Sequence, residues 1–454
     1  MVAAFDILPP ELVLMIIEEF EESQEILSFM MCCRRLHAIA ERFLYKTIKL
    51  QEIVSRAGML SLLQTILQRP ILATYTKTLE LTLWEYPNAL SNMLHSPRRV
   101  TSRPILNSQY KLVEQKVKFV SKSREDEWKW LDDIRLGQVD AFLGLILISM
   151  PNLERLYITH YPQKSSYFFE MIRRVADREP PFDVSPTLTR LSYVHFSPFS
   201  MGRVRIGFLS RFLQLPAIEA LTTLGIDEEV SDISVRVSSH IKNFEIINSS
   251  CTQSIGPLLE GCKKLKSFKY THGNYFHSRP VHINLWESLR ATRHTLESLW
   301  LDWDALSDTP EHLWPLFPMS FDHFPMLKIL TLPAPQIFGR RQTYLHPLAA
   351  ILPKTLETLC IMKIRIDAIE SIIPELLHIV TSSATIVPCL KRIKLSGIVG
   401  PAYESRAYWA EMRVKDIFFP KMIRQLEVMK GPCQEAGVIL EFSMPEWKSA
   451  ARLV

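Results

Sequence analysis

Glycine is scarce, with 14 in 454 residues, and no two of them stand a single residue apart. A GxGxxG dinucleotide loop is therefore excluded, and no GxxxxGK[ST] stretch is present to cradle phosphates. The GxSxG, HExxH and EF-hand patterns are missing too. Seven cysteines, at 32, 33, 251, 262, 360, 389 and 433, make an odd number without a CxxC pair. They read as free, mostly buried thiols in a reducing compartment, cytoplasm or nucleus. Long apolar runs are lacking: the longest, Ala141–Met150, is about half of a membrane span. The first twenty residues hold no Lys or Arg and four acids, so no signal peptide and no membrane partner are expected. A net charge of +5 from 53 basic and 48 acidic residues is too dilute to indicate nucleic acid. His272, His277 and His282, five residues apart, share no helix face and read as loop histidines. Cys251 and Cys262 flank an expected helix as core thiols. No cofactor, metal or catalytic residue is expected. An enzyme on an irregular α/β fold stays open, because motif absence does not exclude it.

What is present is a repeat. A segment of the form L-x-x-L-x-L recurs as Leu153/Leu156/Ile158, Leu188/Leu191/Tyr193, Ile218/Leu221/Thr223, Ile241/Phe244/Ile246 and Leu265/Phe268/Tyr270. It continues as Leu296/Leu299/Leu301, Leu327/Leu330/Leu332, Leu356/Leu359/Ile361, Leu390/Ile393/Leu395 and Ile423/Leu426/Val428, with an early copy at Leu79 and Leu81. From Leu156 on, the middle anchors follow each other at intervals of 23 to 35 residues, at or above the spacing of leucine-rich repeats. Alternation in L-x-L turns two apolar residues inward on a short strand. Helical spacing fills the intervals, as in Met59–Leu67, Val139–Ile148, Phe168–Val175, Phe208–Leu213 and Ile369–Val380. A strand-plus-helix unit cannot bury its own apolar face, so neighbours must stack. The expected fold is α/β, an irregular solenoid similar to leucine-rich repeats over 51–430, with a curved parallel sheet and helices on its convex side.

The first fifty residues differ. Pro9 and Pro10 suit a helix start, Glu11 complements its dipole, and Leu12, Met15 and Ile16 follow at helical spacing. Ile26 and Leu27 lead into a basic helix carrying Met30, Met31, Leu36, Ile39, Ala40, Phe43 and Leu44. Three such helices cannot hide all their apolar surface in about 45 residues, so something else should cover part of it. A helical cap of the following domain is the plainer alternative.

The order Leu8-Pro9-x-Glu11-Leu12, Ile16-Ile17, Ile26-Leu27, Cys33-Arg34-Arg35-Leu36, Ile39-Ala40 and Leu44-Tyr45 resembles an F-box of the form common in fungal proteins. The resemblance covers about a tenth of the chain. It implies that residues 1–50 bind the Skp adaptor of SCF-type ubiquitin ligases, and through it a cullin. Leu8, Pro9, Glu11, Leu12, Ile16, Ile17, Leu27, Leu36, Ile39, Leu44 and Tyr45 would then carry the adaptor contact. The repeats would bind a target protein, with ubiquitin transfer left to other subunits. A non-ligase interaction scaffold on the same repeats is the alternative.

Alternation also names a concave face: Arg155, Tyr157, Arg190, Lys269, Trp300, Asp302, Thr331, Arg392 and Lys394 should line it. That mixed aromatic and basic surface suits an acidic or phosphorylated protein segment. The stretch His95–Arg124 holds eight Lys or Arg and Glu114 as its one acid, and reads as a solvated loop or insertion. Residues 431–454 read as a C-terminal cap or tail.

Overall fold

The computed structural model describes residues 8–20, 22–51, 56–82, 107–159, 167–197, 204–227, 238–249, 255–273, 282–303, 320–338, 347–364, 369–396, 423–424 and 426–442. His277 and Cys251 lie outside them, as do residues 95–106 of the basic stretch. The chain separates into two compact units, Met1–Leu224 and Gly225–Val454.

Unit 1 opens with helices Pro10–Glu18, Ser23–Met30 and Arg34–Leu44. The first begins as expected, with Pro10 inside and Pro9 at the cap. The second is fixed by the Glu22 N–H donating to Glu25 Oε2 at 3.0 Å. Met30 ends it, so the basic helix starts later than expected, at Arg34. Leu44 then leads within three residues into β1, Thr47–Gln51, a strand the repeat pattern did not flag. The other strands that this unit adds to the main sheet are β2 Thr78–Thr82, β3 Arg155–Thr159, β4 Tyr193–Ser197 and β5 Ala220–Leu224. They pair in parallel, with Ile48, Leu79, Leu156, Val194 and Leu221 aligned on one rung.

Unit 2 repeats the design with β6 Asn243–Ser249, β7 Ser267–His272, β8 Ser298–Trp303, β9 Ile329–Pro333, β10 Thr358–Met362, β11 Arg392–Ser396 and β12 Ile439–Phe442. Phe244, Phe268, Leu299, Leu330, Leu359, Ile393 and Leu440 form the matching rung. From Phe244 to Ile393 each member is 0% exposed. Stacking Leu on Leu, or Phe on Phe, hides each repeat's apolar face behind its neighbours.

Register is set by the backbone as much as by the leucines. The Lys77, Glu154, Lys266, Glu297, Lys328 and Glu357 carbonyls each accept two successive N–H groups from the next repeat. The side chains there alternate in charge: Lys266 and Lys328 flank Glu297 at 2.8 and 3.5 Å, and Lys391 meets Glu357 at 2.6 Å. One local irregularity has a visible cause. After Ile246 the β6–β7 register shifts and Asn248 adopts φ 51. A Cβ on Gly273 would come within 2.9 Å of the Asn248 backbone, so that approach requires glycine.

All five helical stretches expected from spacing are helices. Four expectations need correction. The copy Leu188/Leu191/Tyr193 is out of frame: the strand is Tyr193–Ser197, with Val194 and Phe196 inward. Two overlapping frames were available, and the β-branched and aromatic run took the strand. Ile423/Leu426/Val428 is no strand: Ile423 and Leu426 are helical, and Val428 is exposed. The last repeat strand is instead β12, within the stretch expected to be a cap. Finally, the basic stretch is not a loop from Asn107 on. It forms helix Asn107–Val120, whose Val113, Val117 and Val120 are buried, followed by helix Arg124–Arg135.

Charge ties those helices to the repeats. Lys122 meets Glu170 at 2.7 Å and Glu179 at 3.3 Å, while Arg173 binds Glu170 and Glu179. Burial alone would raise Glu170, but hydrogen bonds from Arg173 and Lys122 outweigh it and bring its carboxyl to about 2. Arg174, 2% exposed, donates to the carbonyls of Val120 and Pro180 and lies over the Phe182 ring.

Candidate interaction surfaces

The N-terminal helices close around Val13, Ile17, Phe29, Met30, Leu36 and Ala40. Phe20 meets Phe29 edge to face at 5.5 Å. Arg35 donates to the Leu8 carbonyl, holding the chain start against the third helix. Ile17 and Leu36, expected at the adaptor contact, are each 1% exposed. They belong to the bundle's core and cannot touch a partner. Leu8, Ile16, Ile39 and Leu44 are half-buried against that core. Pro9, Glu11, Leu12 and Leu27 remain exposed.

Two residues not singled out for this surface stand further out. Met15 is 62% and Met31 80% exposed, against 45% for Leu12 and 41% for Leu27. Leu12 and Met15 share one helix face at i, i+3, and Leu27 and Met31 align at i, i+4. The spacing of Met15 was legible in the sequence; Met31, still helical in conformation at the cap, continues the exposed face of Leu27.

The bundle is fastened to the next segment of unit 1. Arg69 grips the Glu41 carboxylate with both terminal guanidinium nitrogens, at 2.8 and 2.7 Å. Tyr45 is half-buried beside this pair, and burial, then the Glu41 charge, pushes its phenol above its ordinary value.

In unit 1 the face turned away from the buried rungs carries Arg155 and Tyr157. Tyr157 lies 5.4 Å from Tyr193 and 6.0 Å from His195, ring centre to ring centre. Both partners lie on β4, whose observed frame turns Tyr193 and His195 to this face. Arg190 is exposed but sits in the turn before β4, off the sheet face.

In unit 2 the corresponding face carries Lys269, Trp300, Arg392 and Lys394. Trp300 is 36% exposed, with the Lys269 ammonium 4.8 Å from its ring centre. Ile329, on the next strand, is 43% exposed. Asp302 is engaged by Lys363 at 2.7 Å, and Arg392 by Glu441 at 3.3 Å. Thr331 departs from expectation: it occupies the rung beside Trp300 but is 3% exposed. Cys360 next to it is also buried, and burial pushes its thiol up. On this rung neither Thr331 nor Cys360 therefore offers contact surface of its own, although Ile329 on β9 does.

Among the described residues no cluster of His, Cys, Asp or Glu is arranged to hold a metal ion, and no helix is long and apolar enough to cross a membrane.

Comparison with curated proteins returns no match. The family model for the leucine-rich repeat domain matches residues 52–400, a span that starts just after β1 and ends beyond β11. The recurring L-x-x-L-x-L, the parallel rungs and this match agree: the chain belongs to the leucine-rich repeat domain family.

Proposed function

We propose that this protein is a non-catalytic substrate receptor of an SCF-type ubiquitin ligase. Its N-terminal helices dock the Skp adaptor, and through it a cullin, while the exposed sheet face holds a target protein. Leucine-rich repeat domains are protein-interaction modules, which supports the second half. The observation that carries the first is the exposed set Leu12, Met15, Leu27 and Met31 around an already closed core. Removing such a surface from water gains roughly 25 cal/mol per Å², and the F-box resemblance says which partner would do so. The free cysteines among the described residues fit a reducing compartment, cytoplasm or nucleus.

The test is capture of a purified Skp adaptor by the full chain. Wild type should retain it, and Met15→Ser with Met31→Ser should release it without lowering the melting temperature. Failure of the wild-type chain to bind would reduce the N-terminal helices to a cap. An interaction scaffold built on the repeats alone would then be the function.

A further inference from the structure

The target-binding reading leaves the target's chemistry open. Building on that reading, we infer that the sheet face of unit 2 selects an extended acidic peptide segment, unphosphorylated, with one apolar side chain seated on Trp300 and Ile329.

Charge makes the first part of the case. Four acids on or beside this face are already paired: Asp302 with Lys363, Glu441 with Arg392, Glu297 with Lys266 and Lys328, and Glu357 with Lys391. Glu245 is Lys269's register neighbour on the side away from Trp300. Several cations are not occupied in this way. Lys269 touches the Trp300 ring, Lys394 is exposed on β11, and Lys263, Lys264 and Lys354 are exposed on the edge where the strands begin. None of these five has an ion pair among the described residues. Among the described residues unpaired lysines outnumber unpaired acids here, and a partner would supply the missing carboxylates.

The type of cation decides between carboxylate and phosphate. Phosphorylated segments are held by arginine clusters, whose planar forks bind phosphate oxygens in pairs. Among the described residues the one arginine in the Lys269–Trp300–Lys394 region, Arg392, is committed to Glu441. Lysines set apart as point charges suit separated Asp or Glu side chains better.

Register supplies the spacing. Lys269, Trp300, Thr331, Cys360 and Lys394 share one rung. With strands about 4.8 Å apart, Lys269 and Lys394 stand about 19 Å from each other, the reach of about six extended residues. Trp300 is one strand from Lys269. The matching segment carries an acid, an apolar residue one or two positions later, and a further acid about four positions beyond.

Random peptide display on the intact protein tests this without presupposing the ligand. A synthetic copy of an enriched peptide is then labelled and titrated against wild type, Trp300→Ala and Lys394→Glu. Lys394 is exposed, so its variant keeps the fold even if loss of Trp300 harms it. The enriched peptides should carry the acid–apolar–acid order, bind at least tenfold more weakly to both variants, and weaken as salt is raised. Enriched peptides that are lost with both variants but are neutral, basic or bound only when phosphorylated would overturn the acidic assignment and leave target binding at this face intact. Absence of enrichment, or enrichment indifferent to both variants, would remove the face reading and the inference with it.

Discussion

Leu299 offers the most direct test of the repeat architecture. It sits on β8 between Phe268 and Leu330 in register and is 0% exposed. Leu299→Ala removes most of a fully buried side chain. The rungs on either side are held by backbone hydrogen bonds and cannot close the gap, so transfer and cavity costs add. Buried Leu→Ala changes cost about 3 to 5 kcal/mol, and a site this constrained belongs in that range. For a unit of this size that is a fall in melting temperature of roughly 6–12 °C. Leu299→Asp should be worse, because an unpaired buried carboxylate costs several kcal/mol, on the order of the unit's whole stability. The control is Ile329→Ser one strand away, on the opposite face and 43% exposed. It should cost about 1 kcal/mol or less. The assay is urea unfolding and thermal melting of the full chain. Equal effects of Leu299→Ala and Ile329→Ser would refute the alternation on which both the core and the binding face depend.

Other outcomes derive from the same geometry. The Glu170 carboxyl is depressed to about 2, so its stabilisation is complete above its unfolded value near 4.5 and is lost as pH falls toward 2. Glu170→Gln should flatten that part of the stability–pH curve, and since this group is more than a third exposed, the effect should stay below about 2 kcal/mol. Arg174→Met leaves the Val120 and Pro180 carbonyls without their donor and should cost about 2 kcal/mol or more, read as faster hydrogen exchange in helix Asn107–Val120. Truncation after residue 422 removes β12 and bares the β11 edge, including the Lys391 carbonyl that accepts from Ile439. The shortened chain should aggregate on gentle heating, by light scattering, where the full chain does not.

The repeat was legible because its signal is periodic and local. L-x-x-L-x-L fixes where a strand lies and which side chains turn inward, and ten of the twelve principal strands carried some form of it. The two missed lie at the ends. β1 comes after a helix with no turn signal between, and β12 has a single short L-x-F. The frame at β4 could not be read from pattern alone, since Leu188/Leu191 and Leu191/Val194 are equally good until neighbouring strands choose the one that pairs.

Among the surface residues, Trp300, Lys269, Arg392 and Lys394 were legible because strand parity assigns a face. Parity does not assign exposure. Thr331 has the right parity and is buried all the same, while Ile329 on the same strand is exposed. Ile17 and Leu36 fit the apolar motif and are spent on the bundle's own core. Met31 projects because it continues the exposed face of Leu27 at the helix end. The sequence alone determined which residues are apolar and at what period they recur, and so the class of fold. Which apolar side chains remain in water was decided by the tertiary structure, because exposure depends on what packs across from each residue and not on its own spacing.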